Sequence, residues 1–115
     1  MPQRCVEFGR AIATIVAAFP DDLRIGILAS GGMSHFRVEE DLDRSVFDAI
    51  KRRDIDFLGA LKPYRLLAGS SEIRNWIVAA AAAATTDLTM TWSAYIPGYR
   101  TLALSGTGLG FARWS

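Results

Sequence analysis

Apolar residues in the first quarter of the chain recur at helical spacing and then become contiguous. The recurrence before Pro20 predicts an amphipathic helix over 4–19. The apolar stripe of this helix consists of Phe8, Ile12, Ile15, Val16 and Phe19. The almost wholly apolar run 23–29 follows and is typical of a strand inside a sheet. A helix followed by such a strand predicts an α/β fold.

Three further helices are predicted in the middle of the chain. One begins at the acidic residues 39–41 and ends at the basic residues 51–53, a charge order that complements the helix dipole. A short one over 54–61 should stop before Pro63. The third should take Ser70 as its N-cap and Glu72 in its first turn. Its predicted buried stripe is Ile73, Trp76, Ile77, Ala80, Ala81 and Ala84.

The last third of the chain has the alternating pattern of β-structure. Residues 88–95 predict one strand, Pro97 and Gly98 a turn, and 99–104 a second strand. No linker or repeat divides the sequence. We therefore predict one α/β unit with a central, mostly β-sheet, in which strand 23–29 is central and the helices of 8–19 and 71–84 cover the sheet.

Composition and charge narrow the classes of function. Half of the residues are hydrophobic, and 13 basic against 12 acidic residues form no block of either sign, which disfavours nucleic acid and anionic membranes as partners. The most apolar stretch, 77–84, is far shorter than the roughly 20 residues that cross a bilayer. With no signal-peptide pattern and a lone Cys5, the chain is expected to be cytoplasmic.

Most chemically suggestive residues have simpler interpretations. The glycines of 106–110 have no helix after them to bind phosphate, and the acidic group 39–43 lacks the ligand spacing of a calcium loop. Cys5 has no partner to activate it. His35, the only histidine, follows two glycines at a predicted strand end and is either an acid/base residue or a local turn partner. Glu72 alone is explained by the helix dipole.

Four segments of the chain, taken together, carry a family resemblance. They are PQRC with GRAI near the N-terminus, SGGMSH at 30–35, AGSSEIRNWI at 68–77, and GTGLG at 106–110. The chain resembles the class III extradiol ring-cleavage dioxygenases, the family of the catalytic subunit of protocatechuate 4,5-dioxygenase. The histidine turn and the Glu-Ile-x-x-Trp helix, in this order, are its specific parts.

The resemblance implies a site and a reaction. His35 corresponds to the family's acid/base histidine, which lies beside a bound catechol, and Glu72 to its carboxylate ligand of iron. The implied cofactor is Fe(II), held by two histidines and this glutamate in a facial triad. The implied reaction cleaves a catecholic ring beside its hydroxyls and inserts both atoms of O2, in the catabolism of aromatic compounds. The substrate-binding residues are unknown.

The chain departs from the family in lacking both histidine ligands of iron. In the family they precede the position of Pro2, and here His35 is the only histidine. Residues 1–115 are therefore interpreted as the C-terminal portion of a catalytic domain, a fragment or separately encoded half whose sheet is incomplete. Apolar surface should then be exposed, and we expect self-association or a complementing N-terminal chain, with no activity of this chain alone.

Two other functions stay open at this stage. The chain could be a non-catalytic relic or assembly subunit of such an enzyme, which keeps the α/β core and binds no iron. It could also be a small-molecule binding module that uses a pocket around His35 and Trp76. The presence or absence of a companion chain with two well-separated histidines distinguishes the first alternative from the enzyme.

Overall fold

The computed structural model describes residues 1–115 as a mixed α/β chain. In chain order the elements are α1 (Pro2–Ala17), β1 (His35–Arg37), α2 (Glu40–Arg52), α3 (Ile55–Ala60), the 3-10 helices η1 (Pro63–Leu66) and η2 (Ala68–Glu72), α4 (Ile73–Ala84), β2 (Met90–Tyr99) and β3 (Ser105–Trp114). The strands form one antiparallel sheet in the order β1–β3–β2. The predicted α/β class is confirmed in this form. None of the helices has the length and apolar character needed to span a membrane.

The predicted central strand at 23–29 is wrong. This segment belongs to no sheet, and residues 23–28 are exposed, with Leu28 90% exposed. Its one backbone hydrogen bond joins the Leu23 N–H to the Asp21 carbonyl at 2.9 Å. A strand needs a neighbour to satisfy its backbone groups, and no strand of residues 1–115 reaches this segment. The central strand of the observed sheet is β3 instead.

The C-terminal hairpin turns later than predicted. β2 continues through Pro97 and Gly98 and pairs with β3 as far as Tyr99 opposite Gly106. The predicted strand 99–104 is wrong, since residues 100–104 form the connection, closed by a 2.7 Å hydrogen bond from the Arg100 N–H to the Ser105 carbonyl. A proline is tolerated in β2 because this strand lies at the sheet edge.

The glycines of β3 let other side chains lie against the strand. A Cβ at Gly108 would overlap the Asp43 carboxylate, and a Cβ at Gly110 would lie 2.8 Å from the Phe47 ring. Both neighbours come from α2, so α2 is the helix that packs on the sheet. The Phe47 ring lies 5.8 Å from that of Tyr95 on β2 and 5.3 Å from that of Trp76 on α4.

The face of α1 that packs on α4 is not the predicted apolar stripe. Its buried residues are Pro2, Val6, Gly9 and Ala13. Small residues let the two helices approach closely, because a Cβ at Gly9 would lie 2.8 Å from the Cβ of Ala81. The larger side chains Phe8 and Ile15 are left exposed on the outer face, and Phe19, which follows the end of the helix, is exposed as well. The prediction that α1 covers the sheet is therefore wrong, since α1 packs on α4 and α3.

The stripe of α4 is close to the prediction. Ile73, Trp76, Ile77, Ala80 and Ala81 are buried, whereas Ala84 is half-buried. Together with side chains from α2 and α3 they form the main core. Ser70 is not an N-cap, because 68–72 form the 3-10 helix η2 before α4 begins at Ile73. This extra turn brings Ser70 to the backbone of His35.

Candidate active site

The turn that carries His35 is fixed to the central strand. The Met33 N–H donates to the Gly108 carbonyl, and the Gly108 N–H donates to the Ser34 carbonyl, both at 2.8 Å. His35 is the first residue of β1 and pairs with Thr107 of β3. The sheet therefore begins at the candidate catalytic residue and fixes its backbone.

The imidazole of His35 contacts an acceptor at each ring nitrogen. Nδ1 lies 2.9 Å from the Met33 carbonyl, and Nε2 lies 3.0 Å from Oε2 of Glu72. A carbonyl oxygen can only accept, so Nδ1 carries a proton in this arrangement. Nε2 is then the ring nitrogen that faces Glu72. The side chain is 21% exposed, which leaves it accessible to a reactant.

Glu72 reaches this position from the end of η2, one residue before α4. Its Oε2 accepts a 2.8 Å hydrogen bond from the Gly32 N–H, and its side chain is 43% exposed. The close approach needs a glycine beside it: a Cβ at Gly31 would lie 2.7 Å from Oε2, and Gly31 has φ +130°, which favours glycine. A Cβ at Gly69 would likewise overlap the Cβ of His35.

The structure thus brings together the two site residues predicted from the sequence. They come from different segments, and their side chains are in direct contact. Their roles, acid/base catalysis for His35 and metal ligation for Glu72, stay predictions.

The chain by itself does not offer the ligands of a facial iron site. No group of three or more histidine, cysteine, aspartate or glutamate side chains is placed to hold a metal ion. Glu72 supplies one carboxylate, and His35 is the only imidazole. Two histidines and a carboxylate are needed for the facial triad, so residues 1–115 alone do not fit Fe(II).

A large apolar cavity lies near this pair. It has a volume of about 890 Å³, and 16 of its 21 lining residues are hydrophobic. Trp76 and Gly31 line it, but His35 and Glu72 do not. This cavity is therefore not the pocket shared by His35 and Trp76 that the third functional hypothesis requires. The cavity borders the unpaired segment 25–29, so it opens where that segment has no neighbouring strand.

Asp43 is the site residue that the sequence analysis missed. No site role is predicted for the acidic group 39–43 that contains it, yet Asp43 is completely buried. Its Oδ1 accepts from the Ser34 N–H at 2.9 Å, and its Oδ2 accepts from the Ser34 hydroxyl at 2.7 Å and the Tyr95 hydroxyl at 2.6 Å. Burial and the hydrogen bond to Asp43 raise the pKa of Tyr95 far above its ordinary value.

A signal for this burial was present in the sequence. Asp43 precedes Phe47 by four residues and Ile50 by seven, and both are buried. This spacing places all three on the same face of α2. An aspartate in the apolar stripe of a helix predicts a buried, hydrogen-bonded carboxylate.

Fold and site together define a mixed α/β protein in which a glycine-rich turn holds a histidine against a glutamate at a helix start. The family model for the catalytic LigB subunit of aromatic ring-opening dioxygenase matches residues 1–110. The chain belongs to this family, the class III extradiol dioxygenases, which confirms the resemblance seen in the sequence. No significant match to a curated protein or to a solved structure accompanies this one.

Proposed function

We propose that residues 1–115 supply the acid/base histidine and the carboxylate ligand of an extradiol dioxygenase site. The observation that carries the proposal is the 3.0 Å contact between His35 and Glu72, in a chain that belongs to the LigB family. The substrate class is a catecholic ring, cleaved with O2 in the catabolism of aromatic compounds. In this role Nε2 of His35 exchanges a proton with a hydroxyl of the catechol, and the Met33 carbonyl holds Nδ1.

The two missing histidine ligands must come from outside residues 1–115. A single carboxylate does not select or retain Fe(II), because affinity depends on ligand number and geometry as well as ligand type. We infer that this chain is the C-terminal portion of the catalytic domain and that a complementing N-terminal segment or chain completes the triad. Alone, the chain should bind Fe(II) weakly and cleave no catechol.

The unpaired segment 23–29 supports a complementing strand. Leu23, Ile25 and Ile27 are between 45% and 60% exposed, although the run has the composition of an interior strand. The segment leads directly into the turn of the site, where the Asn75 amide donates to the Ser30 carbonyl at 2.7 Å and the Trp76 indole to the Gly31 carbonyl at 3.1 Å. A strand that pairs here would run toward the turn that carries His35. Self-association through the same segment is the competing outcome.

Two substitutions in the complemented enzyme separate the proposed roles. Glu72→Ala should abolish retention of Fe(II), whereas His35→Phe should leave the metal bound and lower kcat by about 100-fold or more, the usual contribution of an acid/base group. Glu7→Ala, which removes an exposed glutamate of α1, is the matched control and should change neither. Iron content and catechol cleavage are measured on each variant. Equal loss of metal in both site variants would overturn the separate roles.

The absence of a three-ligand cluster within residues 1–115 favours one alternative function, a non-catalytic assembly subunit. That function predicts that a complementing chain binds without conferring iron retention. A stable complex that stays iron-free after anaerobic loading with Fe(II), and that cleaves no catechol, would establish it in place of the enzyme.

A further inference from the structure

Asp43 is a buried carboxylate with no ion pair. It is completely buried in the first turn of α2, and none of the salt bridges in the structure involves it. Its carboxylate is held by three hydrogen bonds from Ser34 and Tyr95, and its place in the first turn of α2 adds the favourable field of the helix dipole. Replacing Asp43 with an apolar residue would leave three hydrogen-bond donors of Ser34 and Tyr95 without their acceptor. The aspartate is therefore required by the polar groups of the turn that precedes His35.

The contacts of Asp43 converge on the residue before His35. Its two oxygens bind both the backbone N–H and the hydroxyl of Ser34. The same hydroxyl accepts a 2.9 Å hydrogen bond from the Glu39 N–H, and the Ser34 carbonyl accepts from Gly108. Every polar atom of Ser34 is thus engaged, and Ser34 is completely buried. Its backbone has no freedom to rotate while Asp43 is in place.

The position of the His35 ring depends on this fixed turn. The Met33 carbonyl that holds Nδ1 lies on one side of Ser34, and the His35 N–H that donates to the Ser70 hydroxyl lies on the other. A rotation at Ser34 would move both together. Displacement of a reacting group by about 1 Å can lower a rate roughly 100-fold. The carboxylate of Asp43 therefore controls the placement of Nε2 without touching it.

We propose that Asp43 is a positioning residue: its buried carboxylate fixes Ser34 and so holds His35 against Glu72. The catalytic meaning of this role rests on the proposed dioxygenase function, whereas the placement of the ring does not. Tyr95 assists by binding the same carboxylate oxygen from β2.

Nuclear magnetic resonance on the full chain tests the placement directly. His35 is the only histidine, so its ring signals are unambiguous. The Cε1 atom of His35 lies 2.9 Å from the position that a Cβ at Gly32 would take, and the methyl carbon of Thr107 lies 3.0 Å from the same position. The two groups are therefore near each other, and a nuclear Overhauser effect should connect their protons. Asp43→Ala should abolish this effect at a fixed pH. Asp43→Asn keeps an acceptor for the Ser34 N–H and should restore most of it.

Glu40→Gln is the matched control. Glu40 is also a carboxylate of α2 bound to a tyrosine of β2, Tyr99, but it makes no hydrogen bond to Ser34. The Glu40→Gln variant should show the same His35–Thr107 nuclear Overhauser effect as the unsubstituted chain. An unchanged His35–Thr107 effect in Asp43→Ala, or an equal loss in Glu40→Gln, would overturn the proposal. If Asp43→Ala does not fold, Asp43→Leu, which has a similar branched shape but accepts no hydrogen bond, takes its place, and an unchanged effect there has the same consequence.

Kinetic measurements on the same variants distinguish the positioning role of Asp43 from the proposed dioxygenase function. In the complemented enzyme, Asp43→Ala should lower kcat by about 100-fold with KM unchanged, and Asp43→Asn should recover most of the loss. The unsubstituted complex could fail to cleave the ring while Asp43→Ala still abolishes the His35–Thr107 nuclear Overhauser effect. That combination would refute the dioxygenase function and leave the positioning of His35 standing. If Asp43→Ala abolishes the His35–Thr107 nuclear Overhauser effect but leaves kcat unchanged, the positioning has no catalytic role.

Discussion

Substitution of Gly9 by alanine should destabilise the chain even though alanine favours a helix. In an open helix interior the change would stabilise by about 1 kcal/mol. Here the new methyl group would meet the Val78 carbonyl and would lie 2.8 Å from the Cβ of Ala81. Because these neighbours belong to the backbone and first side-chain atom of α4, they cannot rotate away. Overpacking of this kind costs about 1–3 kcal/mol and outweighs the gain of about 1 kcal/mol in helix propensity, so we expect a net loss of up to about 2 kcal/mol.

Gly59→Ala in α3 is the matched control for this prediction. There the new methyl group would meet only the end of the Gln3 side chain, which is exposed and can move aside. The helix propensity of alanine should then dominate, with a gain of up to about 1 kcal/mol. Urea unfolding followed by tryptophan fluorescence measures both free energies of unfolding. Gly9→Ala at or above the stability of the unsubstituted chain would refute the close packing of α1 on α4, which supports the helix behind Glu72.

Two further predictions concern polar contacts outside the site. Arg53→Ala should lower the free energy of unfolding by about 1 kcal/mol. The Arg53 guanidinium donates to carbonyls at the end of α4 and just after it, including those of Ala84 at 2.9 Å and Thr86 at 2.7 Å. An unchanged urea unfolding curve would contradict this capping role. The hydroxyl of Tyr99, together with Arg44, lowers the pKa of Glu40, so this contact stabilises the fold above the ordinary carboxyl pKa and is lost as the pH falls through the folded value. Tyr99→Phe should therefore raise the pKa of Glu40 toward its ordinary value and reduce the loss of stability on acidification. A Glu40 titration curve identical to that of the unsubstituted chain would contradict the contact.

Local patterns predicted most of the helices, whereas His35 and Glu72 were assigned as site residues only through the family resemblance. α2 and α4 carry their buried residues at the expected spacing, because a helix is specified by residues close in the sequence. His35 and Glu72 were found through motifs rather than through their contact, which depends on the extra turn η2 and on the glycines at Gly31 and Gly32. That contact is long-range and has no local signal.

The sheet was predicted less well because strands depend on partners. Residues 23–29 have strand composition but no neighbour, whereas the glycine-rich residues 106–110 lie in the central strand β3. Those glycines accommodate Asp43 and Phe47, which are distant in the sequence. The stripe of α1 was misassigned for a similar reason: close packing on α4 selects its small residues, and its large ones stay exposed.

Anaerobic titration with Fe(II) tests most directly the claim that this chain holds one part of an iron site. The chain is titrated alone and in complex with an N-terminal partner that supplies two histidines, and each sample is then given catechol and O2. We predict weak binding and no ring cleavage by the chain alone, tight binding and cleavage by the complex, and loss of the metal from the complex in Glu72→Ala. Tight binding of Fe(II) or ring cleavage by residues 1–115 alone would contradict the account.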